Sequence, residues 1–205
     1  MQRKTTCAVL LKHYEEDGEE FVQRIVTGNE SWVHHYDPES KRQSMEYRHK
    51  SPPSPRKFKV VVSARKVMLT VFWVSEGIAY IQFQKQGNTV NSERYISTLR
   101  KLSVRLKRVR PTKHAMLHHD NARPHTSRQT REALHKMNFV VLPDPSYSPD
   151  LAPSNFYLLP KYKKHLRGNH YESDEGVEAV VRLGSGNAST CTSLTAVCGS
   201  GCRLR

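Results

Sequence analysis

A chain of 205 residues with 37% hydrophobic content holds enough apolar mass for one domain with a core, and 33 Lys and Arg against 19 Asp and Glu give a formal charge of +14. That surplus favours a polyanionic partner, nucleic acid first, through electrostatic steering and counterion release. No apolar run approaches the ~20 residues that cross a bilayer, and Met1-Gln2-Arg3-Lys4 lacks the apolar segment of a secretory signal. A soluble intracellular protein with no membrane partner is expected. Cys7 is isolated, and Cys191, Cys198 and Cys202 form no Cys-x-x-Cys pair and have no His among them, which argues against a disulfide framework or a zinc site.

In residues 5–20, Val9, Leu10, His13 and Tyr14 recur at helical spacing and Gly18 fits a stop, so a short lead-in helix is expected. Residues 21–27 read as a strand ended by Gly28-Asn29, resumed by residues 32–36 after a bend or bulge. The basic stretch 37–65, with Pro38, Pro52, Pro53 and Pro55, reads as a long functional loop. Residues 66–74 and 78–83, separated by Ser75-Glu76-Gly77, predict an antiparallel hairpin.

Asn91-Ser92-Glu93 opens a helix whose Ile96, Leu99, Leu102 and Leu106 recur at three and four and should pack on the sheet. Its basic run, residues 100–110, is read first as a solvated face, with DNA contact or nuclear import as secondary readings. Residues 115–117 form a short buried strand leading to Asp120; a helix from Pro124 to about Met137 and a strand at 139–142 follow. Pro143, Pro145, Pro149 and Pro153 then keep the chain extended until Ser154 caps a last helix ending near Arg167-Gly168. A helical pattern at 174–182 stops abruptly, and the Gly/Ser/Thr-rich residues 183–205 are expected to be disordered.

Asp120 stands at the end of an apolar stretch and just before a helix start, where a catalytic carboxylate is expected. Four runs in order surround it: Ile25-Val26-Thr27-Gly28-Asn29-Glu30, residues 32–43 from Trp32 to Gln43, His118-His119-Asp120-Asn121-Ala122-Arg123-Pro124-His125, and residues 147–156 from Tyr147 to Phe156. Together they resemble the catalytic domain of mariner-type transposases of the Tc1/mariner superfamily, and so also the transposase-derived part of a fusion protein that joins a SET-domain methyltransferase to a mariner segment. The resemblance covers residues 3–182. It implies an α/β, ribonuclease H-like domain at 21–182, a mixed central sheet flanked by helices, preceded by a helical linker remnant at 1–20 and followed by the aberrant tail 183–205.

The resemblance also implies a chemistry. Three carboxylates hold two Mg²⁺ or Mn²⁺ ions that activate water or a 3′-hydroxyl against a phosphodiester, with 34 residues between the second and third. Thirty-four residues separate Asp120 from position 155 here, yet the first and third positions are Asn29 and Asn155. Amides cannot supply the charge that offsets two closely spaced divalent ions. Asp120 is left as the inherited metal ligand, so metal binding is expected to be weak or absent and cleavage impaired, while loss of acid-to-acid repulsion should steady the metal-free fold. Glu30, next to Asn29, should face the other side of its strand, and Asp150 reads as a turn residue.

DNA is the expected partner, gripped by Lys41, Arg42, Arg48, Lys50, Arg56, Lys57 and Lys59 of the long loop, with Tyr47 to stack and Arg123 near a helix start. A second copy of the chain is a candidate partner, a small-molecule substrate is not, and the location is expected to be nuclear. Mariner enzymes carry helix-turn-helix modules before this domain; the chain starts at the linker, so salt-sensitive, weakly selective DNA affinity is expected. Three functions compete: an impaired transposase relic, a non-catalytic DNA or protein docking module in a host process, and a nuclease still working with Asp120 and Asn ligands.

Overall fold

The computed structural model describes residues 2–39, 62–84, 87–111, 114–145 and 148–186. The lead-in is helical, α1 (Gln2–Asp17), and Gly18 ends it with a positive φ of 56°, a conformation glycine adopts without steric cost. A second short helix, α2 (Glu19–Arg24), corrects the expected strand at 21–24. Glu19 and Glu20 lie in its first turn, where acids suit the helix dipole, and Phe21 and Val22 are buried from helical rather than extended backbone.

The first strand, β1 (Ile25–His34), then runs unbroken through Gly28-Asn29, where an interruption was expected. It pairs antiparallel with β2 (Lys66–Val74), which forms the predicted hairpin with β3 (Gly77–Gln84). On its other side β1 runs parallel to β4 (Met116–His118), itself parallel to β5 (Val140–Val141). The sheet order is β3-β2-β1-β4-β5 and places β1 at the centre.

Helix α3 (Ser92–Val109) forms as its periodicity predicts, capped by the Asn91 side chain, which accepts a hydrogen bond from the Arg94 N–H. The helix expected from Pro124 divides into α4 (Arg123–Thr126) and α5 (Arg128–Lys136), because Ser127 adopts extended backbone and caps the second piece through its hydroxyl. After a 3-10 turn at Pro149–Leu151, a π-helical turn (Ser154–Leu158) leads into α6 (Leu159–Leu166), and α7 (Asp174–Gly186) runs past the stop expected at Arg182. Pro160 has no N–H to offer the Phe156 carbonyl four residues back, a local cause for the widened turn. The expected disorder from residue 187 onward and the basic residues of the long loop, 41–59, lie outside the described residues.

Two cores form, one on each face of the sheet. Trp73, Leu69, Val71, Ile25 and Val33 pack against Leu158, Tyr162, Leu166, Val177 and Val181 of the C-terminal helices. Phe72, Val26 and Leu117 pack against Tyr95, Leu99, Leu102 and Leu106 of α3 and Leu134 of α5. Strand alternation divides β1 accordingly: Ile25 and Val33, and Asn29 between them, face α6, whereas Val26, Gly28 and Glu30 face α3.

Gly28 sits opposite Phe72, and a Cβ added there would come within 2.4 Å of the Phe72 ring. Phe72 is wholly buried against Tyr95, so its ring has no free volume to enter. Gly28→Ala should therefore destabilise the fold by roughly 1–3 kcal/mol through overpacking, despite alanine's lower entropy cost in a strand. Chemical denaturation of both proteins would show a lower midpoint at constant slope, and an unchanged midpoint would refute the close approach.

Candidate active site

The parallel register of β1 and β4 pairs Ile25 with Met116 and Thr27 with His118. Asn29 lies two residues beyond this paired stretch, in the middle of β1, and Asp120 lies two residues past the end of β4. Asn155 arrives from the π-helical turn, whose position is fixed from inside: the Ser154 hydroxyl, fully buried, accepts a hydrogen bond from the Trp73 indole N–H at 2.9 Å. That bond corrects the expected role of Ser154, which caps no helix. The Asn29 side-chain amide donates to the Asn155 side-chain carbonyl at 2.7 Å, so these two positions close on each other.

Asp120 turns elsewhere. Its carboxylate accepts from the Ala122 N–H at 3.0 Å and from His125 Nδ1 at 2.7 Å, while His125 Nε2 lies 3.5 Å from the Glu30 carboxylate. His125 is almost wholly enclosed, Glu30 mostly so, and Asp120 more than half exposed. Glu30 does face away from Asn29, as strand alternation requires, and thereby reaches Asp120 through His125.

Burial alone would lower the pKa of His125, but hydrogen bonds and charges from Asp120 and Glu30 outweigh it and raise the imidazole to about 9. The same His125 bond holds the Asp120 carboxyl below its ordinary range against the opposing effect of burial. A ring stack encloses the cation: Tyr95 lies 4.0 Å and His119 5.1 Å from it, centroid to centroid, and the Tyr95 hydroxyl meets His119 Nδ1 at 2.8 Å. Burial and the charge on His125 push His119 down to about 4, and burial pushes Tyr95 well above 10, so both are neutral at pH 7.

A further acid, which sequence reading passed over, lies nearby. Asp144 follows β5 and its carboxylate stands 3.6 Å from His118 Nε2. Burial and the charge of Asp120 raise Asp144 to about 6, and burial lowers His118 to about 4. His35 belongs to the fold, bonded to the Tyr171 carbonyl and to Asp174. Asp150 lies in the 3-10 turn and pairs with Arg3 of α1, and Arg123 is exposed at the first position of α4. Among the described residues no three His, Cys, Asp or Glu side chains converge as a metal ion would require.

A five-stranded mixed sheet with helices on both faces, with Asn29 inside its central strand and Asp120 just past the neighbouring one, defines a ribonuclease H-like α/β domain. Residues 37–116 match the family described as transposase (partial DDE domain). The chain is 36% identical over 184 residues to the mariner Mos1 transposase of Drosophila mauritiana, covering 86% of this chain and 51% of that protein. It is 31% identical over 180 residues to the human histone-lysine N-methyltransferase SETMAR, covering 85% of this chain and 25% of that protein. The crystal structure of the catalytic domain of Mos1 mariner transposase superimposes with a TM-score of 0.78 at 30% identity, over 96% of this chain and 87% of that one. A Mos1 paired-end complex with the left transposon end gives 0.87 at 32% identity, over 97% of this chain and 58% of that one. Other paired-end complexes of Mos1 hold Mn or Mg. The chain belongs to the mariner-type transposase catalytic domains, and it spans about half the length of the Drosophila transposase.

Proposed function

We propose that this chain is a DNA-binding mariner catalytic domain whose metal-dependent strand cleavage is impaired. The observation that carries the reading is the 2.7 Å bond between Asn29 and Asn155. At the two positions where the family places carboxylates, neutral amides satisfy each other and bring no charge to offset a divalent ion. Asp120 supplies the one remaining carboxylate, already committed to His125 and the Ala122 N–H. This donor set does not fit a pair of Mg²⁺ or Mn²⁺ ions.

DNA affinity is supported by the net charge of +14 and by the transposon-end complex of the related Mos1 enzyme. Arg123, exposed beside Asp120, is the described member of the proposed contact set, with Lys41, Arg42, Arg48, Lys50, Arg56, Lys57 and Lys59 as the others. A second copy as partner and a nuclear location follow from the same reading.

The test is incubation of the purified chain with a labelled duplex in Mg²⁺ and in Mn²⁺. Salt-dependent binding without nicking is expected. Nicking that disappears in Asp120→Ala would overturn the impairment and favour a nuclease working with amide ligands.

A further inference from the structure

Helix α3 buries one face and leaves the other to solvent. Tyr95, Thr98, Leu99, Leu102, Ser103 and Leu106 are buried, whereas Arg100, Lys101, Val104, Arg105, Lys107, Arg108 and Val109 are exposed. Among the described residues the five cations make no ion pair, and Glu93 is the sole acid of the helix. A solvated helix face ordinarily interleaves both signs of charge. This face does not.

Two further observations separate it from a plain solvated surface. Val104 and Val109 are 63% and 65% exposed, an apolar surface left uncovered between the cations. Lys101, Val104, Arg105, Arg108 and Val109 also line, with Tyr80 of β3, an open groove of about 490 Å³. At 3.6 residues per turn Lys101, Arg105 and Arg108 fall within about 60° of one another and span about 10 Å along the axis. Phosphates on one strand of a duplex rise about 3.4 Å each along its axis, so the stripe laid along that axis reaches roughly three successive phosphates, one per cation.

We propose that the exposed face of α3 is a second docking surface, at which Lys101, Arg105 and Arg108 grip the phosphate backbone of a DNA duplex and Val104 and Val109 lie against its sugars. The surface is distinct from the site at Asn29, Asp120 and Asn155. Tyr95 at the start of α3 touches His125, and from there the helix carries the stripe about 10–20 Å further along its axis. The contact is sequence-independent, since phosphates and sugars carry no direct base information. It holds whether or not the site cleaves.

The experiment measures anisotropy of a fluorescent random-sequence duplex with the full chain across a salt series. For the combined variant Lys101→Ala, Arg105→Ala and Arg108→Ala, the slope of log K against log salt should shrink by about 2.7, at roughly 0.9 for each phosphate no longer neutralised. A charge-conserving set, Lys101→Arg, Arg105→Lys and Arg108→Lys, should keep the original slope. Val104→Glu, which sets an acid inside the stripe without touching the core, should weaken binding in the same direction and serves as the readout if the triple variant does not fold. An unchanged slope in a folded triple variant, or undiminished affinity in Val104→Glu, would overturn the proposal. So would tight binding of the chain to phosphatidylserine vesicles with no loss of duplex affinity in either variant. None of these readouts depends on nicking, so failure here is distinguishable from failure of the impaired-site reading.

Discussion

Restoring both acids, Asn29→Asp with Asn155→Asp, is expected to lower thermal stability in a chelating buffer and to recover it when Mn²⁺ is added. The two amides meet at 2.7 Å. Carboxylates at that separation cannot both ionise without a cation, so one is forced to hold a proton or the pair moves apart. At pH 7 either outcome costs stability relative to the neutral amide bond.

A divalent ion that binds the folded variant and not the unfolded chain stabilises it by mass action, about 2.7 kcal/mol at one hundred times its dissociation constant. The unsubstituted chain should show almost no such gain. Differential scanning calorimetry with and without Mn²⁺ separates the cases, and a nicking assay on the double variant reads whether chemistry returns. If the double variant is as stable as the parent in chelator and gains nothing from Mn²⁺, the amides are not standing in a metal site.

His125→Ala carries the second large effect, a loss on the order of 3 kcal/mol. The imidazolium is enclosed and joins Glu30 to Asp120, so its removal strands a mostly buried Glu30 carboxylate without its partner. It also empties the space against Tyr95. His125→Gln, which keeps hydrogen bonding without the charge, should recover only part of the loss. Denaturant titration of the three proteins decides this, and equal midpoints would show that the link between Glu30 and Asp120 is ornamental.

The pH profile follows from the same groups. With its pKa raised to about 9, His125 contributes stability fully present below about 6.5 and lost as pH rises towards and through 9. His118 and His119, lowered to about 4, are neutral in the fold and cost stability as pH falls from about 6.5 towards 4, because the unfolded chain takes up those protons first. Asp144, raised to about 6, works the other way and gains stability on acidification, but one carboxyl opposes two imidazoles. Maximum stability is therefore expected near pH 6–7, with the alkaline fall abolished in His125→Ala. An alkaline limb unchanged by that substitution would assign it to other groups.

Local pattern made much of the scaffold legible. The apolar run of β2 with Ser75-Glu76-Gly77 specified the hairpin, and the three-and-four spacing of Leu99, Leu102 and Leu106 specified α3, because both signals lie within a single element. Phe21 and Val22 misled for the same reason. Adjacent apolar residues suit a strand, and only the packing of α2 against the first core shows that helical backbone buries both. Ser154 resembled a helix cap because hydroxyls before a helix usually are; its partner, Trp73, is 81 positions away.

The candidate site was named by motif order and not by local period. Motif order placed Asn29, Asp120 and Asn155, and the structure sets the two asparagines in contact. The bond from His125 to Asp120 spans five positions, and its other partner, Glu30, comes from a different strand, so no local period announces the set. Asp144 reaches His118 only because β5 lies beside β4.

The Ser154–Trp73 bond ties the neighbouring residue 155 to β2 by a contact that carries no net charge. Whatever side chain occupies that position, acid or amide, starts from the same backbone placement. Position and chemistry at 155 are thus specified by different residues: a substitution there changes which group meets Asn29, while the turn that carries it stays anchored through its neighbour.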